Sequence, residues 1–249
     1  YLRRYQREKA VEDKCKPEDV QSAEGLTVRV CSVLKKTSEV KEQFLARYKD
    51  KGYPAEIAYV SKGMLVFQNI DGIDVIIFGM YVHEFGDDAP EPNKRRVYLS
   101  YLDSVKYMQP AHLRTKVYHA ILIAYIGWIK KLGYHTCHIW ACPPMKGDDY
   151  ILYQKPEDQK NPKPDRLRKW YIVMLDIAKE YGYVDSLTNL VKDCFVDNSD
   201  KRPFSATVLP YFEGDYWVGV AEDHLTKIKE EKEAEDQEKN GGAKAKSKK

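Results

Sequence analysis

The stretch RVYLSYLDSVKYMQPAHLRTKVYHAILIAYIGWIKKLGYHTCHIWAC, from Arg96 to Cys142, decides the fold class. Its opening, Arg96–Leu102, alternates apolar and polar side chains, as a strand does. Pro110 then opens a long helix. Leu113, Val117, Ile121, Tyr125, Trp128, Ile129 and Leu132 recur at spacings of mostly three or four, which makes one apolar stripe. Gly133 stops that helix, with Lys130 and Lys131 in the last turn, where cations meet the carbonyl end. His135–Cys142 reads as a further strand, closed by Pro143-Pro144.

Upstream, Leu26–Leu34 alternates with Leu26, Val28 and Val30 on one face, predicting a half-buried strand. Met64–Phe67 and Ile73–Phe78 flank Asn69-Ile70-Asp71-Gly72, the signature of a hairpin. Val82–Phe85 continues or follows that sheet, and Gly86–Asn93 is a loop with two prolines. Downstream, residues 143–164 form a loop carrying Pro143, Pro144, Pro156, Pro162 and Pro164. A structureless loop longer than ~15 residues is unusual and often functional. Asp165 is the expected cap of the next helix, whose stripe is Leu167, Trp170, Met174, Ile177 and Tyr181, ending near Gly182. Shorter helices are expected from Ser186 and around Asp215–Ile228. Strands interleave with helices, so the class is mixed α and β, a central sheet surrounded by helices. No internal repeat is evident.

The chain has 249 residues, enough for one generous domain or two small ones. A fold of this size buries roughly 70% of its unfolded surface. Apolar residues make up 43%, as in soluble globular proteins. No apolar run approaches the ~20 residues of a membrane helix, so no membrane is expected as a partner. No apolar stretch of a signal peptide is present near the N-terminus, which leaves secretion unsupported. Five irregularly spaced cysteines argue against a disulfide framework and for a reducing compartment. Residues 1–24 carry 12 charges and read as a frayed helix and linker. Residues 229–249 end in Lys244, Lys246, Lys248 and Lys249 and read as a solvated, disordered tail. The net charge is +3, and +2 without that tail, so charge arguments must be local.

Three places offer chemistry. Leu102-Asp103-Ser104 lies at a strand end, and Arg114-Thr115 in the first turn of a helix. Helix starts present unpaired N–H groups and partial positive charge, which suits a phosphate; a solvent-facing Arg and a capping Thr fit the same residues. Between Lys155 and Lys169, six cations (Lys155, Lys160, Lys163, Arg166, Arg168, Lys169) outnumber three acids (Glu157, Asp158, Asp165), so the segment suits an anion or is a solubilising surface. Trp140, Tyr150, Trp170 and Tyr171 form an aromatic set. If Trp170 packs inward, Tyr171 lies on the flank and faces a cleft, where a tyrosine can act as a general acid; core packing is the plain alternative. His135, Cys137, His138 and Cys142 sit close together, but strand alternation separates Cys137 from His138 and Cys142, so no metal site is expected. Phosphate loops of the Gly-x-x-x-x-Gly-Lys type and dinucleotide glycine fingerprints are absent from the sequence.

The runs NKRRVYLSYLDSVKYMQP, LRTKVYHAILIAYIGWIKKLGYHTCHIWACPPMKGDDYILY and DQKNPKPDRLRKWYIVMLD, with FGMYVHEFG before and LPYFEGDYW after, resemble the catalytic domain of the CREB-binding-protein family of histone acetyltransferases. The close match runs from about Ile70 to Trp217. The resemblance implies a central sheet wrapped by helices, with acetyl-CoA bound across the long loop. It implies CoA contacts at Leu102, Asp103, Ser104, Arg114, Thr115, Trp140, Cys142, Pro143, Tyr150, Gln159, Lys160, Arg166, Leu167 and Trp170. Asn161 joins this set where the family usually carries an aliphatic residue beside the nucleotide. Tyr171 would be the general acid for the departing thiol. Trp140 would line the lysine tunnel, its carbonyl orienting the amine. Ser61, in place of a threonine, and Glu213 match positions that recognise basic residues near the target lysine.

The resemblance also implies histone tails, other lysine-rich nuclear proteins and transcription factors as partners, and a nuclear location. Residues 25–228 would be the catalytic core and 229–249 the start of a lysine-containing regulatory loop, with the family's C-terminal part beyond. Two other readings stay open on the sequence: a CoA- or transcription-partner-binding module without catalysis, and nucleic-acid binding through the basic loop and tail. The latter lacks an aromatic stacking motif, so no direct nucleic-acid partner is required.

Overall fold

The computed structural model describes residues 1–145, 147–153, 155–195 and 205–246, with side chains as far as residue 237. The class is mixed α and β, built on one five-stranded sheet in the order β1-β2-β3-β4-β5. Its strands are β1 (Leu26–Glu39), β2 (Glu56–Ile70), β3 (Ile73–Phe85), β4 (Arg96–Ser104) and β5 (Thr136–Ile139). The first four pair antiparallel, and β5 joins β4 in parallel. Parallel neighbours need a crossover, here the helix α3 (Arg114–Lys131). The β2–β3 hairpin turns at Asp71 and Gly72, both at positive φ (52° and 83°), which the Gly at the second position makes inexpensive.

Strand alternation divides the core between the two faces of the sheet. Val97 and Leu99 belong to one cluster, with Val66, Phe78 and Met80, under α3 and α4 (Pro164–Glu180). Tyr98, between them, belongs to the other, with Phe44, Tyr59, Phe85, Tyr211 and Phe212. That second face is covered by α2 (Glu42–Tyr48), the segment 209–215 and the start of α6 (Tyr216–Lys246). Asn93, fully buried, holds the segment: its Nδ2 donates to the Tyr211 carbonyl (2.6 Å) and its Oδ1 accepts the Tyr211 N–H (2.7 Å). The carboxylate of Glu222 accepts the N–H groups of Gln43 (2.9 Å) and Phe44 (3.1 Å), an anion at the positive end of α2.

Several expectations need correction. β1 is longer than predicted, and Val28 and Val30 are 52% and 55% exposed, not half-buried, because an edge strand lies beyond the reach of α3. β5 stops at Ile139, short of Cys142, because it has a partner only along Arg96–Leu99. In α3 the single stripe is too narrow. Tyr118, Leu122, Ile123 and Ile126 are buried as well, since the helix meets both the sheet and α4, while Trp128 and Leu132 are exposed. Lys163, not Asp165, caps α4; Pro164 takes the first helical position, where its missing N–H costs nothing. The helix expected from Ser186 is confined to α5 (Leu190–Cys194), capped by Asn189.

The N-terminal segment forms α1 (Leu2–Asp13), tied to α4 by an Arg4–Glu180 ion pair at 2.7 Å. Residues 229–246, read as disordered, continue α6 instead. No apolar stripe marks them, but Lys229–Glu233 and Lys232–Asp236 are spaced four apart, and such pairs support a solvated helix. Residues 247–249 lie outside the described residues. Among those residues no helix is long and apolar enough to cross a membrane, and all five cysteines are free.

One buried ion pair tests the packing between sheet and helix. Glu84, 3% exposed, takes Lys62 Nζ at 2.6 Å and the Tyr125 hydroxyl at 3.0 Å. Lys62→Met is expected to destabilise the protein by about 3 kcal/mol, because it strands a buried carboxylate. Adding Glu84→Gln should restore most of that loss. Urea unfolding of the single and double variants measures both.

Candidate active site

The long loop predicted at 143–164 runs without regular structure through its described residues, from the end of β5 to α4. It is tied down by side chains of β4's end and by its own. Asp103, 6% exposed, organises one part. Its Oδ2 accepts the N–H groups of Ile151 (3.1 Å) and Leu152 (3.0 Å). Its Oδ1 accepts the Ser104 N–H (2.8 Å) and lies 3.0 Å from Lys155 Nζ. A buried carboxylate is tolerated only when donors satisfy it in this way. Gln159 grips the next corner: Nε2 donates to the Ser104 carbonyl (2.8 Å), and Oε1 accepts the Lys106 N–H (2.9 Å). Lys106 also pairs with Asp158. Asn161 Nδ2 donates to the carbonyls of Pro144 (3.0 Å) and Met145 (3.4 Å), closing the loop's neck. An aliphatic residue there could make neither bond.

Beneath the loop, Gly79 stands opposite Asp103 in the β3–β4 register. A Cβ at this position would come within 3.0 Å of the Leu65 side chain and 3.2 Å of Ile151. A glycine inside a strand often marks a close approach of this kind.

The start of α3 is fixed beside the first half of β3 and the end of β4. The Tyr118 hydroxyl donates toward the Ile77 (2.9 Å) and Val105 (3.3 Å) carbonyls. Arg114 and Thr115, one turn earlier, are exposed. So are Lys160 and Arg166, in the loop and at the start of α4, with Leu167 half-buried behind them. Among the described residues, Arg114, Lys160 and Arg166 make no ion pair. Free cations around two helix starts suit a phosphorylated ligand, and this chemistry fits the phosphates of a nucleotide cosubstrate.

The aromatic set divides differently from expectation. Tyr171, 6% exposed, points into the core with Met174 and Ala178, while Trp170 is half-buried. The buried stripe of α4 is thus rotated by about one residue from the predicted one. Burial, and then the neighbouring Cys137, push the Tyr171 phenol above its ordinary range. The Cys137 thiol is itself pushed up to about 12 by burial. Trp170 packs edge-on against His119 of α3, ring centres 4.5 Å apart. Tyr150 lies 5.5 Å from Tyr101, and Leu102 packs into the α3-side core. Trp140 is 39% exposed and meets Tyr216 edge-on at 5.7 Å. The Trp140 carbonyl accepts the Cys142 N–H (2.9 Å); Cys142 is exposed and Pro143 half-buried.

Ser61 and Glu213 belong to the opposite face of the sheet from Tyr171. Ser61 is buried on β2, opposite His83 and two residues from Tyr59. Glu213 follows Phe212 in the pinned segment, and its Oε2 accepts the Tyr59 hydroxyl at 2.5 Å.

The histone acetyltransferase domain family KAT3 matches residues 11–249, nearly the whole chain. This chain belongs to that family. It is 47% identical over 98% of its length to the probable histone acetyltransferase HAC-like 1 of Oryza sativa subsp. japonica. It is 50% identical over 88% to histone acetyltransferase HAC4 of Arabidopsis thaliana, and 48% over 90% to HAC1 of the same species. The chain spans about 15% of the length of these curated relatives.

Within this KAT3 domain the structure gathers Asp103, Ser104, Gln159 and Tyr150 at the end of β4 and Asn161 at the loop neck. Sequence reasoning missed Lys155 as the partner of Asp103, Gly79 beneath the loop, and His119 behind Trp170. Only Gly79 left a signal, a glycine within an apolar strand.

Asp103→Ala is expected to leave the fold intact and to abolish slow amide exchange at Ile151 and Leu152. Hydrogen exchange read by mass spectrometry checks this. His119, 2% exposed, is pushed down to about 4 by burial and then by Lys116. The folded state therefore binds fewer protons than the unfolded chain between about pH 6.5 and 4. His119 then contributes stability above pH 6.5 that is lost as pH falls, by about 1.4 kcal/mol per unit. Since His83 and His138 are also pushed down to about 4 by burial, and burial lowers His135 as well, His119→Leu should remove about a third of the acid slope or somewhat less. Urea unfolding at pH 7, 6 and 5 measures it.

Proposed function

We propose that this chain transfers the acetyl group of acetyl-CoA to lysine side chains. In this reading histone tails and other lysine-rich nuclear proteins are the substrates, and transcription factors the partners, in the nucleus. The observation that carries it is the loop between β5 and α4, clamped over the end of β4 by Asp103 and Gln159. Membership of the KAT3 family supports the same reading. Residues 25–228 are taken as the catalytic core, and the helical segment beyond them as regulatory.

Bound acetyl-CoA would supply an activated acyl carbon and a thiol leaving group. Arg114, Thr115, Lys160 and Arg166 offer charge and hydroxyl for its phosphates. Leu102, Ser104, Cys142, Pro143, Tyr150, Leu167 and Trp170 would form the walls. Tyr171 keeps its proton on the phenol oxygen through neutral pH, because burial raises its pKa; it is the proton donor of this reading. The Trp140 carbonyl retains a lone pair beyond the one given to Cys142, and that lone pair would orient the incoming amine.

The test is mass gain at lysine when a histone-tail peptide and acetyl-CoA are mixed with this chain. Absence of transfer by folded protein that still binds acetyl-CoA would contradict catalysis and leave a binding module. Tyr171→Phe is expected to lower kcat roughly 10²-fold or more, the usual value of a general acid. Acetyl-CoA affinity, measured by calorimetry, should stay unchanged. Joint loss of both would make Tyr171 a packing residue.

A further inference from the structure

The face of the sheet away from Tyr171 carries a polar row in which the family resemblance gives a role to Ser61 alone. Ser61, His83, Tyr98 and His138 are successive partners across β2, β3, β4 and β5. Phe212 lies flat on Tyr98, ring planes 2° apart at 4.7 Å, and so brings Glu213 over the row. Glu213 is exposed, yet it does not swing freely, because Tyr59 donates to its Oε2 at 2.5 Å. Tyr59 itself is 4% exposed, its ring held by His83 at 4.5 Å and Phe85 at 5.4 Å. Among the described residues Oε1 of Glu213 takes no hydrogen bond. One oxygen is pinned from below, and the other is left to solvent. Tyr216, which meets Trp140 edge-on, is three residues further along the same segment.

The family resemblance gives Glu213 the task of meeting a cationic side chain beside the target lysine; we propose that Tyr59 is the specificity-determining positioning residue for that carboxylate, fixing one oxygen so that the other is aimed at the cation. This rests on the acetyl-transfer reading. A carboxylate on a loose side chain loses rotamer freedom whenever it binds, and that loss opposes affinity. The Tyr59 hydroxyl removes the freedom in advance, and its proton is directed at the oxygen it holds. Burial, and then Glu213, raise the Tyr59 phenol well above its ordinary range, so it stays a donor at neutral pH. His83 supports the ring without competing for the carboxylate, because burial pushes it down to about 4 and it remains neutral. Lys36, opposite Tyr59 on β1, is the resident cation nearest in register, yet it makes no ion pair with Glu213. The carboxylate's charge therefore remains available to a ligand.

Two peptides test this, identical except that one carries arginine and the other alanine beside the acceptor lysine. In Tyr59→Phe, KM for the arginine peptide should rise about ten-fold with kcat unchanged, as expected for loss of a charge-assisted contact made equally in ground and transition states. KM for the alanine peptide should not move. Glu213→Gln, at an exposed position, should raise KM for the arginine peptide at least as much, and adding Tyr59→Phe to it should raise that KM no further. Equal changes for both peptides, or a fall in kcat alone, would make Tyr59 a packing residue and overturn the proposal. Fluorescence anisotropy of the same labelled peptides reads the preference without turnover. If wild type binds both equally, the proposal fails whether or not acetyl is transferred. If the preference is present and lost in Tyr59→Phe while no acetyl is transferred, the acetyl-transfer reading fails and the role of Tyr59 in cation recognition stands.

Discussion

The carboxylate of Asp103 is the interaction on which the site depends. It sits where β4 ends, almost sealed from water, and it receives three backbone N–H groups and an ammonium. Removing any one of these donors would leave part of the buried charge uncompensated. The loop that reaches it has no regular structure to hold its own shape. Its path is set by this carboxylate, by the two-sided grip of Gln159 and by the neck that Asn161 closes. Gly79 matters for the same reason, since a side chain there would push Ile151 away from the sheet.

The sheet does more than support the loop. Because successive residues of a strand face opposite ways, one short stretch supports two separate cores and the site proposed over each. Val97 and Leu99 build the floor under α3 and α4, where Tyr171 is buried beside Cys137. Tyr98 builds the floor under Phe212, which carries Glu213 and leads to Tyr216 and Trp140. The proposed proton donor and the proposed cation-recognising carboxylate thus lie on opposite faces, and the end of the sheet at β5 is where they approach the same acceptor lysine in this account.

Most elements were legible because their signals are local. The β2–β3 hairpin announces itself through Asp71-Gly72, and α3 through its length and Gly133. What failed was burial. Val28 and Val30 look like core residues, yet the edge strand has nothing above it, and whether a neighbour exists is not written in the strand. Tyr171 and Trp170 were exchanged for a similar reason. Both are apolar enough to be inside, and only the angle at which α4 meets the sheet decides between them. The helix through residues 229–246 was missed because a polar surface helix has no apolar period to read. In the site, family resemblance singled out Asp103, Gln159 and Asn161, but not that their side chains hold the loop; the partners Lys155 and Met145 lie tens of residues from Asp103 or across the loop, beyond the reach of any spacing rule.

The central claim is that a loop pinned by Asp103 forms the acetyl-CoA site. Calorimetric titration of acetyl-CoA into the wild-type chain and into Asp103→Ala tests it most directly. The account predicts one molecule bound per chain, with affinity about ten-fold weaker or worse in the variant, because the loop must then be ordered at the ligand's expense. Equal affinity in a folded Asp103→Ala protein would contradict it.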